Sequence, residues 1–110
     1  MANTFKLKTK TSVGVTTVGI YTATSPVTAT VVIGITLANI SGSSLNATVG
    51  IARTLADDVS IIHNVPIPQG SSLEFMQGNK VVLEENDSVT VKSDVNNSLD
   101  IALTIMEISP

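Results

Sequence analysis

The chain of 110 residues contains no cysteine and no tryptophan, and its aromatic residues are two phenylalanines and one tyrosine. Without cysteine it can form neither disulfides nor thiolate zinc sites, and it has no cysteine nucleophile. Charged residues are also few, with six basic residues against nine acidic ones. Nucleic-acid binding needs excess basic groups to displace counterions from phosphates, and usually aromatic rings on which bases stack. We therefore expect no nucleic-acid partner.

Long apolar runs are missing as well. The longest, Val31–Ile35, is interrupted by Gly34 and is far too short to cross a bilayer. The first ten residues carry three lysines, but no apolar segment follows them as it would in a signal peptide. The sequence therefore predicts a protein that is made and used in soluble form and has no membrane partner.

Residues suited to β-strands dominate what remains, with 14 threonines, 14 valines and 11 isoleucines. Their branched side chains fit a pleated sheet better than a helix. Short runs of them are separated by turn residues at intervals of roughly 8–12 residues, which is typical of antiparallel sandwiches. We predict an all-β fold, an antiparallel two-sheet sandwich of jelly-roll or immunoglobulin-like type with about eight strands. The predicted strands are Phe5–Lys10, Val13–Thr22, Thr28–Asn39, Leu45–Ile51, Val59–Val65, Ser72–Met76, Lys80–Leu83, Ser88–Ser93 and Leu99–Ile108.

Alternation within these strands predicts the core. In the third strand it places Val31, Ile33, Ile35 and Leu37 on one face, and in the last strand it places Leu99, Ile101, Leu103 and Ile105 on one face. We expect Phe5, Phe75 and Tyr21 to fill out this core.

Charge is unevenly distributed along the chain. Lys6, Lys8 and Lys10 are half of all basic residues and share one face if their segment is extended. We divide the chain into residues 1–10, a basic arm or edge strand, and residues 11–110, a single sandwich domain. An arm of this kind suits docking on an acidic protein or on a neighbouring copy. The alternative is a solvated edge strand on which lysine discourages aggregation.

A loop rich in proline and glycine follows the fifth predicted strand. Pro66, Pro68 and Gly70 should end that strand, because proline cannot donate to a central sheet ladder. Pro66 and Pro68 are the second candidate contact with a protein partner.

The sequence contains no recognised motif that would bring catalytic groups together. His63 is the single histidine and has no Gly-x-Ser-x-Gly motif to accompany it. The acidic pairs Asp57–Asp58 and Glu84–Glu85 consist of chain neighbours, which point to opposite faces of a strand. We expect no enzymatic activity and no cofactor.

One segment resembles the start of a calcium loop. Asp94, Asn96, Ser98 and Asp100 place oxygen ligands at alternate positions. The sixth position is Leu99 rather than glycine and the twelfth is Ile105 rather than glutamate. A polar turn that leads into a strand explains the same residues without a metal.

Several strand-and-turn segments carry a family resemblance. They are TTVGIYTA (16–23), TATVVIGITLANISGS (28–43), VPIPQGSSL (65–73), KVVLE (80–84), NDSVTV (86–91) and IMEI (105–108). Together they resemble small virion structural proteins of tailed bacteriophages, as found in marine and cyanobacterial phages. The turn before the eighth strand has Asn86 where those proteins usually have glycine, and asparagine tolerates the left-handed conformation that such a turn can need.

The resemblance implies a β-sandwich present in many copies on a virion. It favours a cement or decoration protein on the capsid surface, made in the host cytoplasm, that stabilises capsomer junctions. Its partners would be the major capsid protein or other virion proteins and further copies of itself, with a trimer favoured. A tail, neck or fibre-associated protein is the alternative. A carbohydrate-binding adhesin belongs to another class; it would need exposed Trp or Tyr to stack on sugars, and the chain offers Tyr21 alone.

Overall fold

The computed structural model describes residues 2–54, 56–75 and 80–110, except for the side chains of Ala2 and Phe75. Every regular element in these ranges is a β-strand. The nine strands are β1 (Ala2–Val13), β2 (Val18–Thr22), β3 (Ala29–Asn39), β4 (Leu45–Ala52), β5 (Val59–Ile67), β6 (Ser72–Phe75), β7 (Val81–Glu84), β8 (Ser88–Ser93) and β9 (Leu99–Ser109). Within the described ranges no helix has the length and hydrophobicity needed to cross a bilayer.

The strands form two antiparallel sheets. Sheet I has the order β1-β9-β3-β6, with β7 also paired to β3, and sheet II has the order β2-β8-β4-β5. Strands β6 and β7 lie against different halves of β3, so they act as one interrupted strand. Strand β1 pairs with β9, the last strand, and β2 pairs with β8, the next-to-last. This is the strand order of a jelly roll. The predicted all-β, two-sheet sandwich is confirmed.

The core lies between the two sheets and follows strand alternation. Leu99, Ile101, Leu103 and Ile105 of β9 are all nearly or fully buried, which confirms the face predicted for the last strand. They are covered from sheet II by apolar side chains of β4, β5 and β8, which are Leu45, Ala47, Val49, Ile51, Ile67, Val89 and Val91.

Strand β3 departs from simple alternation. Its register with β9 shifts between Val32 and Gly34, where a bulge adds one residue. Because an extra residue moves the following side chains to the other face, Val32 joins Ile35 and Leu37 in the core. The expectation that Val31 and Ile33 share that inner face was wrong: both are only half-buried.

The expected aromatic core is only partly present. Tyr21 is buried, as predicted, with 7% of its surface exposed. Phe5 is 69% exposed, so its assignment to the core was wrong. The register pairs Phe5 with Met106, on the opposite face of sheet I from buried Ile105, so its ring points away from sheet II. The side chain of Phe75 lies outside the described residues.

Two predicted strand boundaries also differ. The predicted strand Val13–Thr22 is divided between β1 and β2, because the chain crosses from sheet I to sheet II between them. Pro66 lies inside β5 rather than in the loop that follows. A proline is tolerated there because β5 is the edge strand of sheet II.

A left-handed turn and a close approach of two strands each depend on a particular residue. Asn86 has a φ of 73°, so it occupies the left-handed region that the turn chemistry predicted. At Gly50 a Cβ atom would lie 2.8 Å from the carbonyl oxygen of Val59, so only glycine lets β5 approach β4 this closely. A cis peptide bond joins Ser25 to Pro26.

We expect Leu103→Ala to lower the free energy of unfolding by about 2–5 kcal/mol, because Leu103 is fully buried and alanine would leave a cavity. Leu7→Ala is the matched control. Leu7 pairs with Thr104, next to Leu103, but is 64% exposed, so its loss should change stability by less than about 0.5 kcal/mol. Urea denaturation of the dilute chain measures both, and equal losses would contradict this account of the core.

Candidate protein interface

An apolar row crosses the outer face of sheet I. The strand registers pair Phe5 with Met106, Met106 with Val31, and Val31 with Val82. Directly paired residues point to the same face, so these four side chains form one line across four strands. Phe5 and Val82, at its ends, are 69% and 60% exposed, while Met106 and Val31 are half-buried. We call Phe5, Met106, Val31 and Val82 the apolar row.

Neighbouring residues widen this row into a patch. Leu7, two residues along β1 from Phe5, is 64% exposed, and Ile108, two residues along β9 from Met106, is half-buried. On the outer face of sheet II lies a shallow concavity of mixed character, in which Thr48, Thr90 and Lys92 lie beside Ala52 and Val59. A contiguous exposed apolar patch is typical of a protein-interaction surface.

The inner side of the same end of sheet I is polar. The Tyr21 hydroxyl donates to Oε2 of Glu107 at 2.6 Å and lies 2.8 Å from the hydroxyl of buried Thr30. Since the tyrosine proton is given to Glu107, the Thr30 hydroxyl donates to the Tyr21 oxygen. Lys6 Nζ lies 2.8 Å from the other carboxylate oxygen, Oε1. This network of Lys6, Tyr21, Thr30 and Glu107 joins β1, β2, β3 and β9.

The network changes the acidity of two of its groups. Burial, and then the bond to the Glu107 carboxylate, raise the pKa of Tyr21 to about 12. The ammonium of Lys6 and the Tyr21 hydroxyl hold the pKa of Glu107 below its ordinary value. Both shifts favour a neutral tyrosine bound to an ionised glutamate.

The predicted lysine face lies at the open edge of sheet I. Lys6, Lys8 and Lys10 pair with Ile105, Leu103 and Ile101, so all three lysines point toward the sandwich interior along its rim. Lys6 binds Glu107, Lys8 is half-buried and Lys10 is exposed. Strand β1 pairs with β9 along nearly its whole length, so residues 2–10 belong to an integral edge strand. Inward-pointing charges on such a strand are a known protection against unwanted pairing.

The opposite side of the sandwich is acidic. Buried Asp87 accepts from Nε of Arg53 at 3.1 Å through Oδ2 and from the Glu84 amide at 2.9 Å. Another guanidinium nitrogen of Arg53 binds Glu84, and the backbone amide of Arg53 donates to Asp58 at 2.7 Å. These bonds tie the ends of β4 and β7 together. Five exposed acidic residues lie on this side, namely Asp57, Asp58, Glu74, Glu84 and Glu85.

The proline pair is remote from the lysines in the fold. Pro66 is exposed on β5, at the other edge of the sandwich from β1, where it pairs with Asn46. The carbonyl of Pro68 accepts from the Ser71 amide and hydroxyl, which closes a tight turn. The two predicted contact regions therefore do not form one surface.

The predicted calcium ligands bind within the chain and in different places. Asp94 accepts from the Asn46 amide at 2.8 Å, and Asp100 accepts from the Thr11 hydroxyl at 2.6 Å. Ser98 is fully buried and lies 2.7 Å from the Ser93 hydroxyl. Across the described ranges no three His, Asp or Glu side chains form a group able to hold a metal ion.

The other polar residues singled out in the sequence make contacts of their own. The ring of exposed His63 has Nε2 3.3 Å from the Asn64 side-chain nitrogen. Glu84 of the second acidic pair serves the Arg53 cluster, and Asp58 of the first caps the Arg53 amide.

Comparison with known proteins gives a likeness in fold. The chain is similar to a chain from Bacillus endospore appendages, which form a novel family of disulfide-linked pili, with a TM-score of 0.59 and 14% identity over 99% of this chain and 88% of that one. At this identity the likeness concerns the fold alone. No protein-family model matches the sequence, and no match was found among curated proteins.

We predict that Tyr21 titrates near pH 12 in the folded chain, against an ordinary value of 10.0. Because the unfolded chain loses this proton first, stability should fall as the pH rises from about 10 to about 12. Tyr21 is the single tyrosine and there is no tryptophan, so the ultraviolet absorbance of tyrosinate reports it directly. Glu107→Gln should move the titration toward 10 without reaching it, since burial remains. Titration of the folded chain at the ordinary value would contradict the network.

Glu107 should make the folded chain sensitive to acid. Its lowered pKa contributes stability that is complete above the ordinary glutamate value and is lost as the pH falls through the folded-state value. Lys6→Met should remove about 0.5–1 kcal/mol of this contribution, a modest effect because the Lys6 side chain is 43% exposed. Urea midpoints measured against pH test this, with exposed Lys10→Met as control. Identical acid profiles for the two variants would refute the assignment.

Proposed function

We propose that this chain is a structural, non-catalytic subunit of a multi-copy protein particle, and specifically a cement protein on the capsid surface of a tailed bacteriophage. The observation that carries the proposal is the apolar row on the outer face of sheet I. The chain has three aromatic residues, yet Phe5 is left 69% exposed at the end of a line of apolar side chains. An aromatic placed so is better suited to burial against a partner than to solvent.

The size of this face supports a docking role. The face is four strands wide, at about 4.8 Å per strand, and as long as the 11 residues of β9, at about 3.3 Å per residue. These dimensions give an area of about 700 Å², close to the roughly 800 Å² that each partner buries in a standard interface. Area of this kind laid across a capsomer junction would resist the pressure of packaged DNA by mechanical means. No reaction is needed for such a role.

The phage setting is supported by the sequence resemblance in strands and turns. On this proposal the partner is the major capsid protein, the location is the virion, and copies of the chain associate with one another, in a trimer or another oligomer. A tail, neck or fibre position is the alternative within the same setting, and the number of copies per particle separates the two.

Other particles and partners remain as competitors. The fold likeness to the pili of Bacillus endospore appendages favours a filament subunit as the second candidate. For a carbohydrate-binding adhesin the support is weaker, because Tyr21 is buried and its hydroxyl is held by Glu107. The jelly-roll fold itself serves both capsid and lectin domains.

We predict that Met106→Glu, which places a charge in the middle of the apolar row, reduces occupancy on particles at least about tenfold, equivalent to about 1.4 kcal/mol of binding free energy. The particles are those of the phage that encodes the chain, and occupancy is counted by quantitative mass spectrometry against the major capsid protein. Thr90→Glu is the matched control, because Thr90 is equally half-buried on a central strand but faces outward from sheet II.

The counts decide between placements. Hundreds of copies of the unmodified chain per particle support a capsid role, and a few dozen support the tail or neck. Absence of the chain from purified particles would overturn the phage proposal, and equal occupancy for both variants would overturn the role of the apolar row.

A further inference from the structure

We propose that copies of this chain associate head to tail, with β1 of one copy adding as an antiparallel strand to β7 of the next. The inference rests on the proposed function, since it describes how subunits of such a particle would meet. It concerns the two edges of sheet I, whereas docking on a capsid concerns its outer face.

The strand directions in sheet I permit this pairing. Strand β1 is antiparallel to β9, β9 is antiparallel to β3, and β3 is antiparallel to β7. The two edge strands β1 and β7 therefore run in opposite directions. A second copy placed beside the first, without inversion, would continue one antiparallel sheet across the boundary. Among the described residues, β1 and β7 each pair with a single strand, so one hydrogen-bonding edge of each is open.

The apolar row extends across the same boundary. Its two ends, Phe5 and Val82, are its most exposed members. In the joined sheet Phe5 of one copy would lie beside Val82 of the next on the outer face, and an aromatic beside a β-branched residue is a favourable cross-strand pair. Each boundary would then cover the two ends of the row, which are 69% and 60% exposed in the single copy.

Charge complementarity selects β7 as the partner edge. A two-fold pairing of β1 with β1 would set lysines opposite lysines on the inner face, because Lys6, Lys8 and Lys10 all lie there. The β7 side instead has an excess of acidic groups, with Glu84, Glu85, Asp57 and Asp58 against Arg53 and exposed Lys80. Glu84 has 72% of its side chain exposed, and Glu85, Asp57 and Asp58 are exposed nearby.

The space beside β7 suits a lysine side chain. Between the sheets at this edge lies a groove lined by Ile51, Val59 and Val81 and by the cluster in which Arg53 binds Glu84 and Asp87. A lysine packs its aliphatic stem on apolar surface while its ammonium stays near solvent or an acidic group. With Phe5 beside Val82, the antiparallel register sets Lys6 opposite Val81 on the inner face, so the aliphatic stem of Lys6 would pack at the mouth of this groove.

An interface of this kind is heterologous, because two different surfaces meet. Repetition of it closes into a ring or continues as a filament, whereas a two-fold interface stops at a dimer. This difference makes the inference testable with the purified chain alone, without any capsid or other particle.

The test uses two variants, each of which blocks one edge. Phe5→Glu places a carboxylate at the β1 edge, and Val82→Glu places one at the β7 edge; both positions are mostly exposed, so the fold should tolerate them. Sedimentation velocity from about 1 μM to about 1 mM covers the range of modest affinities. The unmodified chain should form species larger than a dimer as its concentration rises, more weakly in high salt.

Head-to-tail pairing gives a specific result for the two variants. Each variant alone should stay monomeric, while an equimolar mixture should form one-to-one dimers and nothing larger, because each variant keeps the edge that the other has lost. Val15→Glu, at a 54% exposed position between β1 and β2, should assemble like the unmodified chain.

Three outcomes would overturn the inference. The first is that the unmodified chain stays monomeric at about 1 mM, which would mean that the edge lysines prevent pairing. The second is a Val82→Glu variant that still dimerises by itself, which indicates a β1–β1 interface. The third is a mixture that gains no dimer over its components. None of these outcomes bears on the occupancy of particles by the Met106→Glu variant. Failure of head-to-tail assembly and failure of capsid docking are therefore distinguishable.

Discussion

The structure depends on the position of β9 between β1 and β3. This one strand pairs along both of its edges, and its alternation decides which side of sheet I is inside. The side chains that it buries, Leu99, Ile101, Leu103 and Ile105, meet the strands of sheet II. The same register turns the lysines of β1 toward the interior rim and the apolar row toward solvent. Core, charged edge and exposed face are thus three results of a single pairing.

Much of the fold could be predicted because its signals are local. Alternating β-branched residues predicted nearly every strand, and the inner face of β9 was predicted residue by residue. The bulge at Ile33 was not predicted, because the apolar residues read as plain alternation, although the adjacent Gly34 is a residue type that often marks a bulge. It moves Val31 to the outer face, and without Val31 the apolar row is broken between β9 and β7. Phe5 was misplaced for a related reason, since alternation divides a strand into two faces without saying which one is buried.

Most of the candidate interface could not be predicted from the sequence, because local alternation does not say which strands pair or which face is buried. Lys6, Lys8 and Lys10 were visible as a set because they are close in the chain. The apolar row joins residues 5, 31, 82 and 106, which only strand pairing brings together. Polar side chains that could be listed from sequence, such as Asp94 and Asp100, have backbone and hydroxyl partners that no local motif specifies. Surfaces assembled from distant strands require the register to be known first.

The central place of β9 also constrains how the chain is made. Among the described residues it is the last of nine strands in chain order, yet β1 and β3 have no strand between them until it forms. During synthesis β1 and β3 must wait with open hydrogen-bonding edges while roughly sixty further residues follow β3, a separation that makes closure entropically costly and slow. The inward lysines on β1 would keep that waiting edge soluble, so charges that line the finished rim would protect the nascent chain first.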